Sequence, residues 1–398
     1  MISVTKLWSG VGFEGDSLRY GTKMKEGAFQ AASNAFDRRP VVVWNCTRRC
    51  NLNCVHCYSD SHNRRDDEEM TTGQGRLLVE QLAEFKVPVL LFSGGEPLSR
   101  EDVFTLASLA KEKGLRPVLS TNGTLIDQSM ANKIARAGFS YVGISLDGIG
   151  PVNDEFRGVE GAFKKAMQGF RACRRAGVKV GLRFTLTKRN VSDLAAIFDF
   201  IEEEGVDRAC FYHLVPSGRG EVLEDELLGD EVARRAIITI MDKTQYFVEK
   251  GKAKDILTVD NHCDGVAIYL RLKEQASPRA REVLRLLEWN GGAAASSGVG
   301  IACVDWKGNV HPNQFWHSLT VGNIRERSFG DIWRKPRSEI MHSLRNRLPL
   351  LKGKCGSCAY QKACGGSLRV RAEMIHGDPW AEDPACYLSF EEVSKKQQ

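Results

Sequence analysis

The sequence predicts an α/β fold on a parallel sheet, and three observations carry that prediction. From residue 40 onward, short β-branched runs alternate with amphipathic helical stretches. The alternation repeats six times, which with right-handed crossovers places parallel strands side by side. Polar groups gather where the runs end, at the carboxyl edge of a parallel sheet, where ligands bind. Periodicity leaves open whether the sheet stays open or curls into a barrel.

Strands are expected at 41–45, 88–93, 116–120, 140–146, 179–186 and 208–214. Helical periodicity fills the intervals at 72–86, 101–113, 127–137, 160–176 and 192–204. Thr72, Ser99, Asp127 and Ser192 are placed as N-caps, because a short side-chain oxygen accepts from the free N–H groups of a first turn. Residues 221–290 change character, with charged helical stretches at 230–250 and 277–289, and Gly291 to Gly298 form a flexible boundary. Beyond it a hairpin over 299–312 turns at Lys307-Gly308-Asn309, a helix follows over 330–346, and the tail from Cys355 is loop-rich. The expected divisions are an N-terminal extension (1–39), a core (40–220), a helical connection (221–298) and a small α+β domain (299–398).

With 398 residues, 27% charged and 42% hydrophobic, the chain has ordinary globular composition. No apolar run approaches membrane-spanning length, and Met1 to Trp8 lack the apolar core of a signal peptide, so a cytoplasmic protein without membrane contact is expected. The formal charge of +6 does not call for nucleic acid and suits an acidic substrate. The run Asp66-Asp67-Glu68-Glu69 reads as a solvated face. Twelve cysteines in a reducing compartment point to metal or catalysis rather than disulfides. Seven fall in two tight groups, and Cys46, Cys173, Cys210, Cys263 and Cys303 read mainly as small core residues.

The first group, Cys50, Cys54 and Cys57, follows the run Val41-Val42-Val43 with spacing C-x3-C-x2-C. Thiolates select iron–sulfur clusters, zinc or Cu(I), and three ligands leave a four-iron cluster with one iron open to chemistry. Zinc would require a fourth ligand, which Cys46 or His56 could supply. The next strand ends in Ser93-Gly94-Gly95-Glu96-Pro97, where the glycines admit a ligand close to the backbone and the Glu96 carboxylate suits an ammonium group. Ser120-Thr121-Asn122-Gly123 and Ser145-Leu146-Asp147-Gly148 end the following two strands with hydroxyl and amide groups suited to a ribose or a carboxylate. The second group, Cys355, Cys358, Cys364 and Cys386, reads C-x2-C-x5-C-x21-C, a spacing equally compatible with zinc and with iron–sulfur.

Over residues 40–215 this constellation resembles the radical S-adenosylmethionine (SAM) superfamily, on the strength of the cysteine loop and Gly94-Gly95-Glu96-Pro97. The resemblance implies a partial (β/α)6 barrel in which Cys50, Cys54 and Cys57 hold a [4Fe-4S] cluster whose open iron chelates SAM. It implies that Gly94, Gly95 and Glu96 bind the methionyl amine. Ser120, Asn122, Ser145 and Arg183 then bind the ribose or carboxylate, and His56 stands where an aromatic residue usually flanks adenine. One-electron cleavage of SAM would give a 5′-deoxyadenosyl radical that abstracts hydrogen from substrate. The tail resembles the auxiliary-cluster extension called SPASM or, when shortened, twitch. Asn313 and Leu368 stand where a full SPASM domain has cysteines, so the resemblance implies one auxiliary [4Fe-4S] cluster, on Cys355, Cys358, Cys364 and Cys386, with Cys303 as the nearest spare thiol.

Val42-Val43-Trp44-Asn45, Val215 to Gly220, His311 to Trp316, Arg369 to Ala372 and Gly377 to Cys386 resemble the tetrapyrrole-modifying radical SAM enzymes of the alternative haem and haem d1 pathways. Asp16 to Gly21 further resembles the branch that removes two acetate side chains from 12,18-didecarboxysiroheme to give Fe-coproporphyrin III; the haem d1 branch, which removes propionates, is the alternative. Such a substrate calls for cations and a flat apolar wall: Arg219, Arg369 and Arg371 are candidate forks, Phe315 and Trp316 the wall, and His213, His311 and His317 candidate axial ligands to substrate iron. A low-potential donor such as ferredoxin or flavodoxin is expected. A peptide maturase shares the two-cluster plan but usually carries a leader-binding domain, for which residues 1–39 are short and poorly patterned. A non-enzymatic iron–sulfur or zinc scaffold leaves the polar strand ends without a role.

Overall fold

The strands form where the β-branched runs stand. The computed structural model describes residues 1–21 and 38–394; the rest of the N-terminal extension and the last four residues lie outside it. In chain order the strands are β1 (Ile2–Ser3), β2 (Val41–Thr47), β3 (Val89–Gly94), β4 (Arg116–Thr121), β5 (Val142–Leu146), β6 (Val180–Leu186), β7 (Arg208–His213), β8 (Asp255–Val259), β9 (Ile301–Val304), β10 (Asn309–His311) and β11 (Gly322–Asn323). They make one sheet in the order β1-β8-β7-β6-β5-β4-β3-β2-β9-β10-β11. β2 to β7 are parallel, as the strand-helix alternation requires, and the parallel run extends to β8 on one side and β9 on the other.

Side-chain alternation decides the curvature that periodicity left open. Val43, Leu91, Ser120, Ser145, Arg183 and Tyr212, one from each of the six strands β2 to β7, line a single cavity of about 200 Å³. A flat sheet cannot bring six consecutive strands to one cavity, so the sheet curls into a partial barrel with β1 and β11 as free edges. The opposite parity, including Trp44, Phe92, Leu119, Ile144, Leu182 and Phe211, is fully buried on the outer face, where the crossover helices pack.

Helix ends follow local chemistry with small displacements. The helix Thr72–Glu84 is capped by Thr71, not Thr72, because Thr71 forms a reciprocal capping box with Gln74. Asp127 caps Gln128–Ala137 by accepting from the Met130 N–H at 2.7 Å. Ser99 and Ser192 instead fall within short 3-10 turns that precede their helices. The helix expected over 330–346 breaks into Phe329–Arg334 and Glu339–Arg345 around Pro336, which cannot continue a helix. The hairpin turns at Gly308 with φ +85°, as expected, and β9 joins it to the barrel by pairing with β2.

Two readings are corrected. β8 and the helix Cys263–Glu274 lie in the stretch read as a charged helical connection, where flanking charges masked the five buried residues of Asp255–Val259. The acidic run is not wholly a solvated face: Glu69 is buried and accepts from the Thr47 hydroxyl at 2.6 Å, while Asp66 accepts from the Trp306 indole at 2.9 Å. These contacts tie the run to the end of β2 and to the hairpin.

Candidate active site

The cysteine loop leaves the end of β2 and is clamped from both sides. On one side the N–H groups of Gly95 and Glu96 donate to the carbonyls of Thr47 and Arg49, both at 2.8 Å. A Cβ on Gly94 would stand 2.4 Å from the Thr47 oxygen, and one on Gly95 would stand 2.3 Å from the Arg49 oxygen. These glycines therefore admit the loop's own backbone as well as lining the cavity. On the other side Arg219 donates through Nε to the Cys54 carbonyl at 2.8 Å and through its N–H to the Cys57 carbonyl at 3.0 Å. Arg219 thus braces the loop, which corrects its reading as a substrate fork. Gly95→Ala is expected to displace the loop at a cost of about 1–3 kcal/mol. The check is iron content after reconstitution, which should fall sharply while far-UV circular dichroism stays unchanged.

Each sulfur of the loop meets a polar partner. Asn122 Nδ2 lies 3.8 Å from Cys50 Sγ, Arg157 Nη1 donates to Cys54 Sγ at 3.6 Å, and the Ser61 hydroxyl lies 3.1 Å from Cys57 Sγ. Burial pushes the Cys50 thiol up to about 12 and raises that of Cys54, so loading the site with metal must release protons. Among the described residues no three Cys, His, Asp or Glu side chains converge as one metal ion requires. Cys50, Cys54 and Cys57 instead stand around the wall of a common cavity. This soft donor set, spread around a space and supplied with hydrogen-bond donors, fits a multi-iron cluster better than tetrahedral zinc.

Of the residues expected at the site, Cys50, Cys54, His56, Cys57, Gly94, Gly95, Ser120, Asn122, Ser145 and Arg183 all line this cavity. Glu96 does not. It is fully buried, and its carboxylate accepts from the Thr121 hydroxyl at 2.9 Å, the Asn122 N–H at 2.8 Å and the Leu98 N–H at 3.0 Å. Burial pushes its carboxyl up to about 7 despite these donors. Through these bonds Glu96 fixes the end of β4 against the Gly94-Gly95 turn. Arg183 reaches across β5 to donate to Ser120 Oγ at 2.5 Å, which Gly143 permits, since a Cβ there would stand 2.3 Å from Arg183 Nε.

Sequence reasoning missed the group that organises the far wall. Asp147, fully buried, forms an ion pair with Arg157 Nη2 at 2.7 Å and lies 3.2 Å from His56 Nε2. The signal was present in Ser145-Leu146-Asp147-Gly148, but only the fold brings Arg157 and His56 to that carboxylate. Phe315 does line the cavity, edge-on to Tyr58 with centroids 5.3 Å apart. Trp316 is fully buried and donates to Glu373 at 2.6 Å. Of the three candidate axial histidines, His213 lines the cavity, held by Asp264 at 2.9 Å. His311 is committed to Leu319 O and Asp305, and His317 stacks on Tyr58.

The second cysteine group also closes on one cavity, lined by Cys355, Cys358, Cys364 and Cys386. Arg369 and Arg371, expected as substrate forks, are instead fully buried supports of this domain. Arg369 donates to the carbonyls of Gly366, Pro379 and Ala381, and Arg371 binds Asp383 through two bonds of 2.8 Å. Cys303 sits in β9 in register with Val43; the additional thiol at this cavity is Cys263, a residue first taken for core.

Residues 44–201 match the Radical SAM superfamily, and residues 297–359 match the iron-sulfur cluster-binding domain SPASM. The chain is 49% identical over 396 residues to Fe-coproporphyrin III synthase of Methanosarcina barkeri, an alignment covering 99% of each protein. The chain belongs to the radical SAM superfamily. It carries a SPASM-type C-terminal domain, and membership brings a [4Fe-4S] cluster, SAM and auxiliary iron–sulfur binding. It is also 44% identical over 360 residues to pre-heme d1 synthase of Dinoroseobacter shibae, covering 89% of this chain and 88% of that one. Among solved structures, SuiB of Streptococcus suis bound to precursor peptide SuiA superposes with a TM-score of 0.69 at 18% identity, over 94% of this chain and 86% of that one, a likeness of fold. Among the described residues no helix is long and apolar enough to cross a membrane.

Proposed function

We propose that the protein is a radical SAM enzyme of haem biosynthesis that removes two acetate side chains from 12,18-didecarboxysiroheme to give Fe-coproporphyrin III. The observation that carries this reading is the end-to-end alignment with Fe-coproporphyrin III synthase, in a chain whose cavity gathers the three-cysteine loop and the polar strand ends. The core spans 40–220, joined through 221–298 to the domain 299–398. Cys50, Cys54 and Cys57 would hold the SAM-binding [4Fe-4S] cluster, and Cys355, Cys358, Cys364 and Cys386 one auxiliary [4Fe-4S] cluster. Electrons would come from a ferredoxin or flavodoxin.

The chemistry supplied by a bound cluster and SAM is one-electron cleavage of a sulfonium to a carbon radical that abstracts hydrogen. The chain's own residues bind, orient and exclude water. Arg157 and Asn122 donate to the sulfurs of Cys54 and Cys50, the Ser61 hydroxyl is hydrogen-bonded with that of Cys57, and together they hold the loop for one geometry. The backbone at Gly94 and Gly95, which lines the cavity with Ser120, Asn122, Ser145 and Arg183, would receive the SAM amine, and those four side chains its ribose and carboxylate. His56, 3.2 Å from Asp147 and edge-on to Phe156 with centroids 5.7 Å apart, would flank adenine. Phe315 and Tyr58 give the apolar wall for the macrocycle. Arg183→Met is expected to remove a charge-assisted contact worth about 1.5–3 kcal/mol and so raise KM for SAM roughly 10- to 100-fold, with iron content unchanged.

The test is anaerobic reconstitution with iron and sulfide, then dithionite, SAM and didecarboxysiroheme. Formation of 5′-deoxyadenosine with a mass change equal to loss of two acetate groups is the expected result. A product lacking propionates would move the chain to the haem d1 branch, and no 5′-deoxyadenosine from an assembled protein would overturn the enzyme reading.

A further inference from the structure

The guanidinium of Arg157 bridges a carboxylate and a sulfur, away from water. Its Nη2 forms an ion pair with Asp147 at 2.7 Å, and its Nη1 donates to Cys54 Sγ at 3.6 Å. The two charged side chains are 9% and 0% exposed. Together they make a buried dipole whose positive end meets the central sulfur of the loop. Arg219, the other guanidinium at Cys54, bonds the carbonyl of that residue and not its sulfur.

Backbone contacts hold this arrangement in place. Arg157 ends the helix Pro151–Arg157, which follows β5. The Asn53 N–H donates to the Arg157 carbonyl at 3.1 Å and the Val55 N–H to the Phe156 carbonyl at 3.0 Å, so the residues on both sides of Cys54 are bonded to the end of that helix. Gly158, with φ +66°, permits the approach, since a Cβ there would stand 2.6 Å from the Asn53 oxygen. Asp147 is fixed through its own backbone: its N–H donates to Asn153 Oδ1 at 3.0 Å, and its carbonyl accepts from Asn190 Nδ2 at 2.8 Å.

We propose that Arg157 is a positioning residue that sets the reduction potential of the SAM-binding cluster, through its charge and its N–H on the Cys54 sulfur, with Asp147 as the opposing charge. This rests on the reading of Cys50, Cys54 and Cys57 as that cluster's ligands. A hydrogen bond to a ligand sulfur and a cation beside it both favour the more negatively charged reduced state and raise the potential. A buried carboxylate acts in the opposite sense. Water screens little of either charge at this depth.

The experiment uses the full chain, reconstituted anaerobically with iron and sulfide. Iron is counted, and the midpoint potential is read by electron paramagnetic resonance during an anaerobic redox titration, on the signal that added SAM alters, because SAM binds the cluster with an open iron. Arg157→Met is expected to keep the iron content and shift the midpoint to more negative values. Asp147→Asn, which removes the opposing charge, should shift it the other way, and shifts of opposite sign are not what two merely structural supports would give. Arg157→Gln, which keeps an N–H without the charge, should fall between Arg157→Met and the parent, and gives the measurement should the methionine variant lose its iron. An unmoved midpoint in the Arg157 variants, or a shift of Asp147→Asn in the same direction as theirs, would overturn this inference alone. Loss of iron from both Arg157 variants would make the residue a support of the loop and overturn it as well. Absence of any SAM-sensitive signal from the parent chain would overturn the ligand reading and this inference with it.

Discussion

Cys54→Ala should abolish formation of 5′-deoxyadenosine while leaving the auxiliary cluster's iron in place. Cys54 is the central sulfur of the loop, and its carbonyl and sulfur are both engaged, by Arg219 Nε at 2.8 Å and Arg157 Nη1 at 3.6 Å. Without the thiolate, two sulfurs remain to hold a cluster that needs three, and the Arg157 guanidinium faces the gap with one carboxylate, Asp147, to balance it. The fold should survive, since Cys54 belongs to a small cluster of buried residues separate from the main core. Iron analysis and an anaerobic SAM-cleavage assay read the two parts independently. Retained cleavage in this variant would remove Cys54 from the ligand set.

The largest stability effect is expected at Arg371→Leu. Arg371 and Asp383 are both completely inaccessible and joined by two bonds of 2.8 Å, and the Asp383 carboxylate also accepts from the N–H groups of Leu368 and Ala385. Removing one partner strands a buried charge and costs roughly 3–5 kcal/mol. Because Asp383 precedes Cys386 by three residues, the same change should loosen the second cysteine group and lower its iron content. Burial alone would raise the Asp383 carboxyl, but the Arg371 guanidinium outweighs it and holds the carboxyl well below the usual range. A depressed folded value means the pair's stabilisation is present above the unfolded carboxylate value, about 3.9, and is lost as pH falls through the folded value. Arg371→Leu removes that guanidinium and leaves burial to raise the Asp383 carboxyl, so its deficit against the parent should be full above the unfolded carboxylate value and shrink as pH falls, read as the denaturant midpoint against pH; an unchanged midpoint would show the pair to be dispensable.

How much was legible differs between the two halves of the site. Cys50, Cys54 and Cys57 could be read directly, because a cluster loop needs its ligands close in sequence, and Gly94-Gly95 because two backbones meet there. Asp147 with Arg157 and His56 was not, since three polar residues on separate elements become a unit only when β5 and the following helix bring them together. Arg369 and Arg371 were misplaced for a related reason: an arginine beside a substrate and one beneath a metal domain look alike in sequence. Cys263 looked like core because the other thiols of its cavity lie far along the chain.

By itself the sequence determined the strand-helix alternation, the parallel sheet, the two cysteine groups and the polar strand ends, because each depends on spacing shorter than one structural element. Tertiary structure alone decided that the sheet curls around one cavity, that Glu96 stands behind that cavity, and that the barrel supplies a fifth thiol to the C-terminal domain. Those facts depend on which buried groups find partners across long stretches of chain, and a buried polar group is stable only where the fold supplies that partner.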